Sequence, residues 1–179
     1  IVGGNGGDWM TGGAGADTID GGTNDGGWYG DVVDYTYSTA GVTIDITANT
    51  ATGGHATGDV ISNLTGIRGA DSYSNILTGN SVANYIWGGN QADTIISGAG
   101  NDQIYANAGN DFIDAGAGAD AINGYTGIDT ITYANSVAAV TVNLLSNTHS
   151  GGDAAGDSIT EVENVIGSAN ADNLFGNSA

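Results

Sequence analysis

A chain of 179 residues with 20 acidic side chains and one basic residue, Arg68, carries a formal net charge of -19. This excludes nucleic acid and anionic membrane surfaces as partners, because phosphate neutralisation needs Lys and Arg. With no cysteine, no proline and 33 glycines, it can form no disulfide, no thiolate metal site and no collagen helix, and no apolar run approaches the roughly 18 residues of a membrane span.

The chain opens at Ile1 with no Met and no visible signal peptide, and so reads as a processed or excised piece of something longer. Residues 3–11 and 12–20 form two nine-residue units, with Asp8 and Asp17 at position six and Met10 and Ile19 at position eight. Five inserted residues, 21–25, precede a third unit, 26–34, with Asp31 and Val33 at the same positions. Residues 1–34 are therefore one repeat block. Residues 35–69 form a β-rich spacer. In it Val42-Thr43-Ile44-Asp45-Ile46 alternates like a half-buried strand, and Ile61, Leu64 and Ile67 follow at a three-residue step. That step fits a helical turn or wider coils of one solenoid. The solenoid is the preferred reading, because Ile67 leads straight back into nonapeptide phase.

Residues 70–132 divide without a gap into seven nonapeptides. Position six reads Asn75, Asn84, Asp93, Asp102, Asp111, Asp120 and Asp129, and position eight reads Leu77, Ile86, Ile95, Ile104, Ile113, Ile122 and Ile131. A second spacer, 133–166, matches the first at an offset of 98, pairing Tyr35 with Tyr133 and Gly58-Asp59 with Gly156-Asp157. A further block, 167–179, starts with Asp172 and Leu174 in phase. Ile1-Val2-Gly3-Gly4-Asn5 echoes Ile86-Trp87-Gly88-Gly89-Asn90, and Gly176-Asn177-Ser178 echoes Gly79-Asn80-Ser81, so both termini read as cut inside a repeat.

Each unit has a turn half and a strand half. In Gly12-Gly13-Ala14-Gly15-Ala16-Asp17 the glycines permit positive φ and leave carbonyls unobstructed. Thr18-Ile19-Asp20 then alternates, sending Ile19 to one face. A three-residue strand cannot stand alone, but stacking many in parallel buries the aliphatic of each in a continuous ladder. The prediction is an all-β fold: one continuous parallel β-roll, or β-solenoid, with two units per coil. A helix is excluded, because glycine at this density costs about 1 kcal/mol per residue against alanine.

Nine of the twenty acids occupy position six: Asp8, Asp17, Asp31, Asp93, Asp102, Asp111, Asp120, Asp129 and Asp172. Self-repulsion among so many like charges opposes compaction until a cation neutralises them. Ca²⁺ takes six to eight oxygens from carboxylates and carbonyls, and the turns supply both. The carbonyl candidates lie at positions one and three: Gly3, Asn5, Gly12, Ala14, Gly88, Asn90, Ser97, Ala99, Ala106, Ala108, Ala115 and Ala117. Two units per coil predicts that Asp93 faces Asp111, Asp102 faces Asp120 and Asp111 faces Asp129, with several Ca²⁺ ions held between such pairs. Mg²⁺ demands a tighter octahedron, and zinc lacks its Cys and His ligands.

Ser97-Gly98-Ala99-Gly100-Asn101-Asp102-Gln103-Ile104-Tyr105 and the unit ending at Asp20 resemble the RTX, or hemolysin-type, calcium-binding nonapeptide G-G-x-G-x-D-x-U-x. The spacer carrying Gly151-Gly152-Asp153-Ala154-Ala155-Gly156-Asp157 and Glu163-Asn164-Val165-Ile166-Gly167 is similar to the longer spacer of large RTX surface proteins. The resemblance implies a parallel β-roll, Ca²⁺ at the turns, type I secretion and folding outside the cell. It departs at position four, where Tyr73, Val82, Gln91 and Tyr29 replace glycine, and at Asn75 and Asn84, where full-strength sites are not expected. A spacer site using Asp153 and Asp157 is expected to be weaker in the first spacer, where His55 and Asp59 stand.

Trp9, Trp28 and Trp87, with Tyr29, Tyr85 and Tyr105, flank strands and would either cover a solenoid face or form a sugar-binding or subunit contact. No H-E-x-x-H, G-x-S-x-G or phosphate-loop motif is present, so the chain is not expected to be an enzyme. The expected function is a calcium-binding structural module of a secreted, extracellular protein. It would self-associate head-to-tail through its solenoid ends in a surface layer, fibre or adhesin. The alternative is the C-terminal secretion and folding module of a larger type I-secreted hydrolase or toxin. The complete reading frame distinguishes the two.

Overall fold

The computed structural model describes residues 1–23 and 29–177. The junction of the five-residue insertion with the unit beginning at Gly26, including Trp28, lies outside the described residues, as does Ser178. The first block supplies β1 (Val2–Asn5), β2 (Trp9–Met10), β3 (Thr18–Thr23) and β4 (Val32–Asp34). The first spacer supplies β5 (Thr43–Asp45), β6 (Thr50–Thr52), β7 (Val60–Ser62) and β8 (Gly66–Arg68). The seven central units give β9 (Ile76–Thr78), β10 (Tyr85–Gly89), β11 (Thr94–Ile96), β12 (Gln103–Asn107), β13 (Phe112–Asp114), β14 (Ala121–Asn123) and β15 (Thr130–Thr132). The second spacer gives β16 (Thr141–Asn143), β17 (Thr148–Ser150), β18 (Ser158–Thr160) and β19 (Asn164–Ile166), and β20 (Asn173–Phe175) follows. The helical content described is a single 3-10 turn in each spacer, Gly54–Ala56 and Gly152–Ala154.

Most strands are three residues long, too short to persist alone. They exist as rungs. Successive units alternate between two sheets, so within the central block each strand pairs in parallel with the one 18 residues away: Ile86 with Ile104 in one sheet, Ile95 with Ile113 in the other. Position eight points between the sheets. Leu77, Ile86, Ile95, Ile104, Ile113, Ile122 and Ile131 are all at 2% exposure or less. Each such burial contributes roughly 1.5–3 kcal/mol, which a lone strand could not collect. The result is the all-β parallel β-roll expected from the period.

The ten-stranded sheet runs β1-β3-β7-β6-β5-β9-β11-β13-β15-β19 and the seven-stranded sheet β18-β14-β12-β10-β8-β4-β2. A three-stranded sheet, β17-β16-β20, holds the second spacer hairpin. The alternating segments form the expected strands β5 and β16, each turned back by an antiparallel partner. The first hairpin inserts into the ten-stranded sheet. The second is entered from β15 in that same sheet and leads on to β20 after β18, the end strand of the seven-stranded one. An odd number of units separates the spacers, so the second meets the roll from the opposite side.

The three-residue step is not helical. Ile61 stacks on Ile19 in the ten-stranded sheet, and Ile67 joins Val33 to Ile86 in the seven-stranded one. The corner between them is shorter than in a nonapeptide rather than wider. It is turned by buried Leu64 and by Asn63 at φ 53°, with no glycine turn. Glycine is required elsewhere: Gly127 has φ 149°, and a Cβ there would fall on the Gly109 carbonyl one coil back.

On the outer face of the seven-stranded sheet Trp9 and Trp87 meet with ring centroids 5.2 Å apart, although β4 and β8 lie between their strands. Tyr29 and Tyr85 pack edge-to-face at 5.1 Å, and Trp87 stacks on Tyr105 at 5.7 Å. In register with Trp9 and Tyr85, the two strands between carry Val32, fully buried, and Gly66, without a side chain.

Candidate metal centre

The turns on each side of the roll stack into a row, and position six holds the row together. The amide of Asp93 donates to Asp111 Oδ1 at 2.7 Å, and that of Asp111 to Asp129 Oδ1 at 2.8 Å. On the other side Asp102 donates to Asp120 Oδ1 at 2.8 Å, and Asp120 to Asp157 Oδ1 at 3.0 Å. The three facing pairs expected from the sequence are therefore brought together. In the first block Asp8 donates to Asp31 Oδ1 at 3.0 Å and Asp17 to Asp59 Oδ1 at 2.8 Å. Asp172 accepts from Val140 at 2.8 Å, in a half-buried position near the last strand.

In Asp93, Asp102, Asp111, Asp120 and Asp129 one oxygen, Oδ1, is thus used. Oδ2 is buried and bare in these five and in Asp8 and Asp17, with no hydrogen-bond partner among the described residues. An unsatisfied buried polar atom costs about 1–3 kcal/mol, and more when charged. Burial accordingly pushes Asp93 and Asp120 up to about 7 and Asp111 up to about 6, against the amide donors that favour the ionised form. Asp102 and Asp129 are raised for the same first reason.

These oxygens face backbone carbonyls. A Cβ built at Gly88 would lie 2.6 Å from Asp93 Oδ2 and 2.5 Å from the Ala106 carbonyl of the next coil. At Gly3 it would lie 2.8 Å from Asp8 Oδ2 and 2.5 Å from the Gly21 carbonyl, and at Gly12 2.8 Å from Asp17 Oδ2. Position one therefore borders a small cradle in which carboxylate and carbonyl oxygens converge. Of the other carbonyl candidates, Ala115 accepts from the Ser97 hydroxyl at 2.6 Å and Ala117 from the Gly100 amide at 2.9 Å. Each keeps a second lone pair. Ala99 and Ala108 bridge to the neighbouring coil, Ala14 and Asn90 are exposed turn residues, and Asn5 is the exposed last residue of β1.

Among the described residues no group of three or more His, Cys, Asp or Glu is gathered as a metal cluster. The acids come in ladders of facing pairs, and the rest of any cation's shell would be carbonyl oxygen. That donor set is hard and all-oxygen, which fits Ca²⁺ and suits zinc poorly.

The spacer acids play a different part. Asp59 and Asp157 continue the rows through Oδ1, but Oδ2 of Asp59 accepts from the Tyr35 hydroxyl at 2.8 Å and Oδ2 of Asp157 from the Tyr133 hydroxyl at 2.6 Å. Asp153 is half-buried near Asp157, its amide on the Ser136 hydroxyl. Glu163 ends one row, taking the Asp129 amide at 2.8 Å, where the first spacer uses the Thr65 hydroxyl at 3.2 Å. Sequence reasoning did not single out the tyrosines or Glu163. The Tyr35–Tyr133 match at the long offset was the available signal.

No curated protein matches the chain significantly. A family model described as RTX calcium-binding nonapeptide repeat (4 copies) matches residues 1–32, 69–104 and 96–131. These segments span the first block and nearly all of the central one, where the bare Oδ2 atoms lie.

Proposed function

The chain belongs to the RTX calcium-binding nonapeptide repeat family, and on that premise we propose that it is a calcium-binding structural module of a secreted, extracellular protein, folded by the ions it takes up. The observation that carries this reading is the row of buried, unpaired Oδ2 atoms recurring at one repeat position in a chain of net charge -19. Asp8, Asp17, Asp31, Asp93, Asp102, Asp111, Asp120 and Asp129 supply carboxylates to several Ca²⁺ ions. The turn carbonyls at positions one and three complete the shells. Asp172, with Asp153 in the spacer, is a lesser contributor. Calcium supplies positive charge between coils. The chain's own residues hold the carboxylates at that spacing through the amide ladder. The module has no catalytic role.

Without Ca²⁺, repulsion and desolvation outweigh three-residue strands, so folding and binding are one event. The working range is that of extracellular modules, on the order of 10⁻⁴–10⁻³ M. Circular dichroism in EDTA, followed by added Ca²⁺, tests the reading. Near pH 8, strand signal should be absent with chelator and cooperative with calcium; signal indifferent to chelation refutes it.

The same reading extends to assembly. Each rung repeats its pairing at the next without closing, and a heterologous contact that does not close propagates. Head-to-tail stacking in a surface layer, fibre or adhesin follows. Electron microscopy in Ca²⁺ should show filaments or sheets, and monomers alone would count against it.

A further inference from the structure

We infer that at fixed levels of both rows the chain fills the cation's place with a neutral hydrogen donor of its own, so that runs of Ca²⁺ are closed by an amide or a phenol. The inference rests on the reading that the Asp levels bind calcium, and it concerns which levels do not.

Asn75 is the plainest case. Its side chain is buried and fully engaged. Oδ1 accepts from the amides of Ala70 at 3.0 Å and Val42 at 3.2 Å, the part Oδ1 plays in every Asp of the row. Nδ2 donates to the carbonyls of Ala70 at 3.0 Å and Tyr73 at 2.8 Å and to Asp93 Oδ1 at 2.9 Å. Those acceptors are a position-one carbonyl, a turn carbonyl and the carboxylate of the next level. Together they are the kind of oxygen that faces the bare Oδ2 atoms elsewhere. An NH₂ group and a cation are both positive toward oxygen. The amide therefore satisfies this cage from within, and a neutral side chain adds no charge to be neutralised.

Asn84 repeats the device in the other row. Its Oδ1 takes the Asn80 amide at 2.8 Å, and Nδ2 donates to the Thr65 carbonyl at 3.1 Å and Asn80 Oδ1 at 3.0 Å. The two asparagines stand at successive half-coils, where both rows of the central block leave the first spacer. At the far end of one row Asp157 is still an acid, but the Tyr133 hydroxyl occupies its outer oxygen; Tyr35 does the same for Asp59 beyond Asp17. Of these four side chains, none has an unsatisfied buried atom. Asp102 and Asp120 lie between closers in one row, while Asp93, Asp111 and Asp129 follow Asn75 in the other, which runs on to the Glu163 carboxylate; each of these five has one. A row that ended on an open Asp would leave half a coordination shell facing a spacer, and the neutral closers remove that half-site.

The test uses the full chain and counts ions. Equilibrium dialysis against Ca²⁺, with metal analysis by mass spectrometry, gives the stoichiometry of the wild type, Asn75→Asp and Tyr133→Phe. Each variant exposes one further buried carboxylate oxygen, so each should bind one more Ca²⁺ per chain than the wild type. Asn75→Asp should also need a higher Ca²⁺ concentration to reach half-maximal strand signal. An unchanged count in Tyr133→Phe, which keeps the ring and its packing, overturns the inference even if Asn75→Asp does not fold. So does an Asn75→Asp chain that folds with the wild-type count. A wild type that binds no calcium sinks the proposed function instead, which keeps the two failures apart.

Discussion

Each aspartate of the central block, Asp93, Asp102, Asp111, Asp120 and Asp129, divides its oxygens between two duties. Oδ1 receives an amide from the neighbouring coil and holds the stack in register; Oδ2 is left for a cation. The division has a consequence for pH. Asp93 and Asp120, near 7, and Asp111, near 6, lie above the ordinary 3.8 of an exposed carboxyl because burial disfavours their charge. The metal-free folded form therefore holds more protons than the unfolded chain between about pH 4 and pH 7, so its stability falls as pH rises through that window. In EDTA, strand signal should be greater at pH 5 than at pH 8.

At the scale of strand and turn, the nonapeptide period was enough to read the ladder of aliphatics, the 18-residue pairing and the facing aspartates, because one local rule repeats at every rung. The spacers resisted. β6 runs antiparallel inside an otherwise parallel sheet, and Tyr35 finds Asp59 across 24 residues that no repeat connects. Nor does an asparagine in place of an aspartate announce that its amide will face three acceptors; only the packed turn shows it. The rows also rank their members. Asp111 is buried, bonded to the coils on both sides and bare at Oδ2, whereas Asp172 sits half-buried near the last strand with Ser168 and Val140 on its Oδ1. Asp111→Ala should raise the Ca²⁺ midpoint of folding several-fold, and Asp172→Ala by less than twofold, as followed by circular dichroism. Equal shifts would mean that position along the row does not matter.

For the whole molecule, the placement of the two hairpins decides the path of the axis. Between β3 and β9 the ten-stranded sheet carries three strands, while between β4 and β10 the opposite sheet carries one. At about 4.8 Å per strand, this drives a wedge of roughly 10 Å into one flank. The second hairpin wedges the other flank. Wedges on opposite flanks would tilt the axis in opposite senses, so a rod built on this plan should meander but keep its heading. The parity of the central block sets that outcome. Removing one unit, residues 106–114, would leave six and bring both wedges to the same flank, turning a zigzag into an arc. Small-angle scattering of the calcium-loaded deletion should show a more curved particle than its shorter contour alone accounts for. Counting repeats, odd or even, is thus a steering mechanism written into the polypeptide.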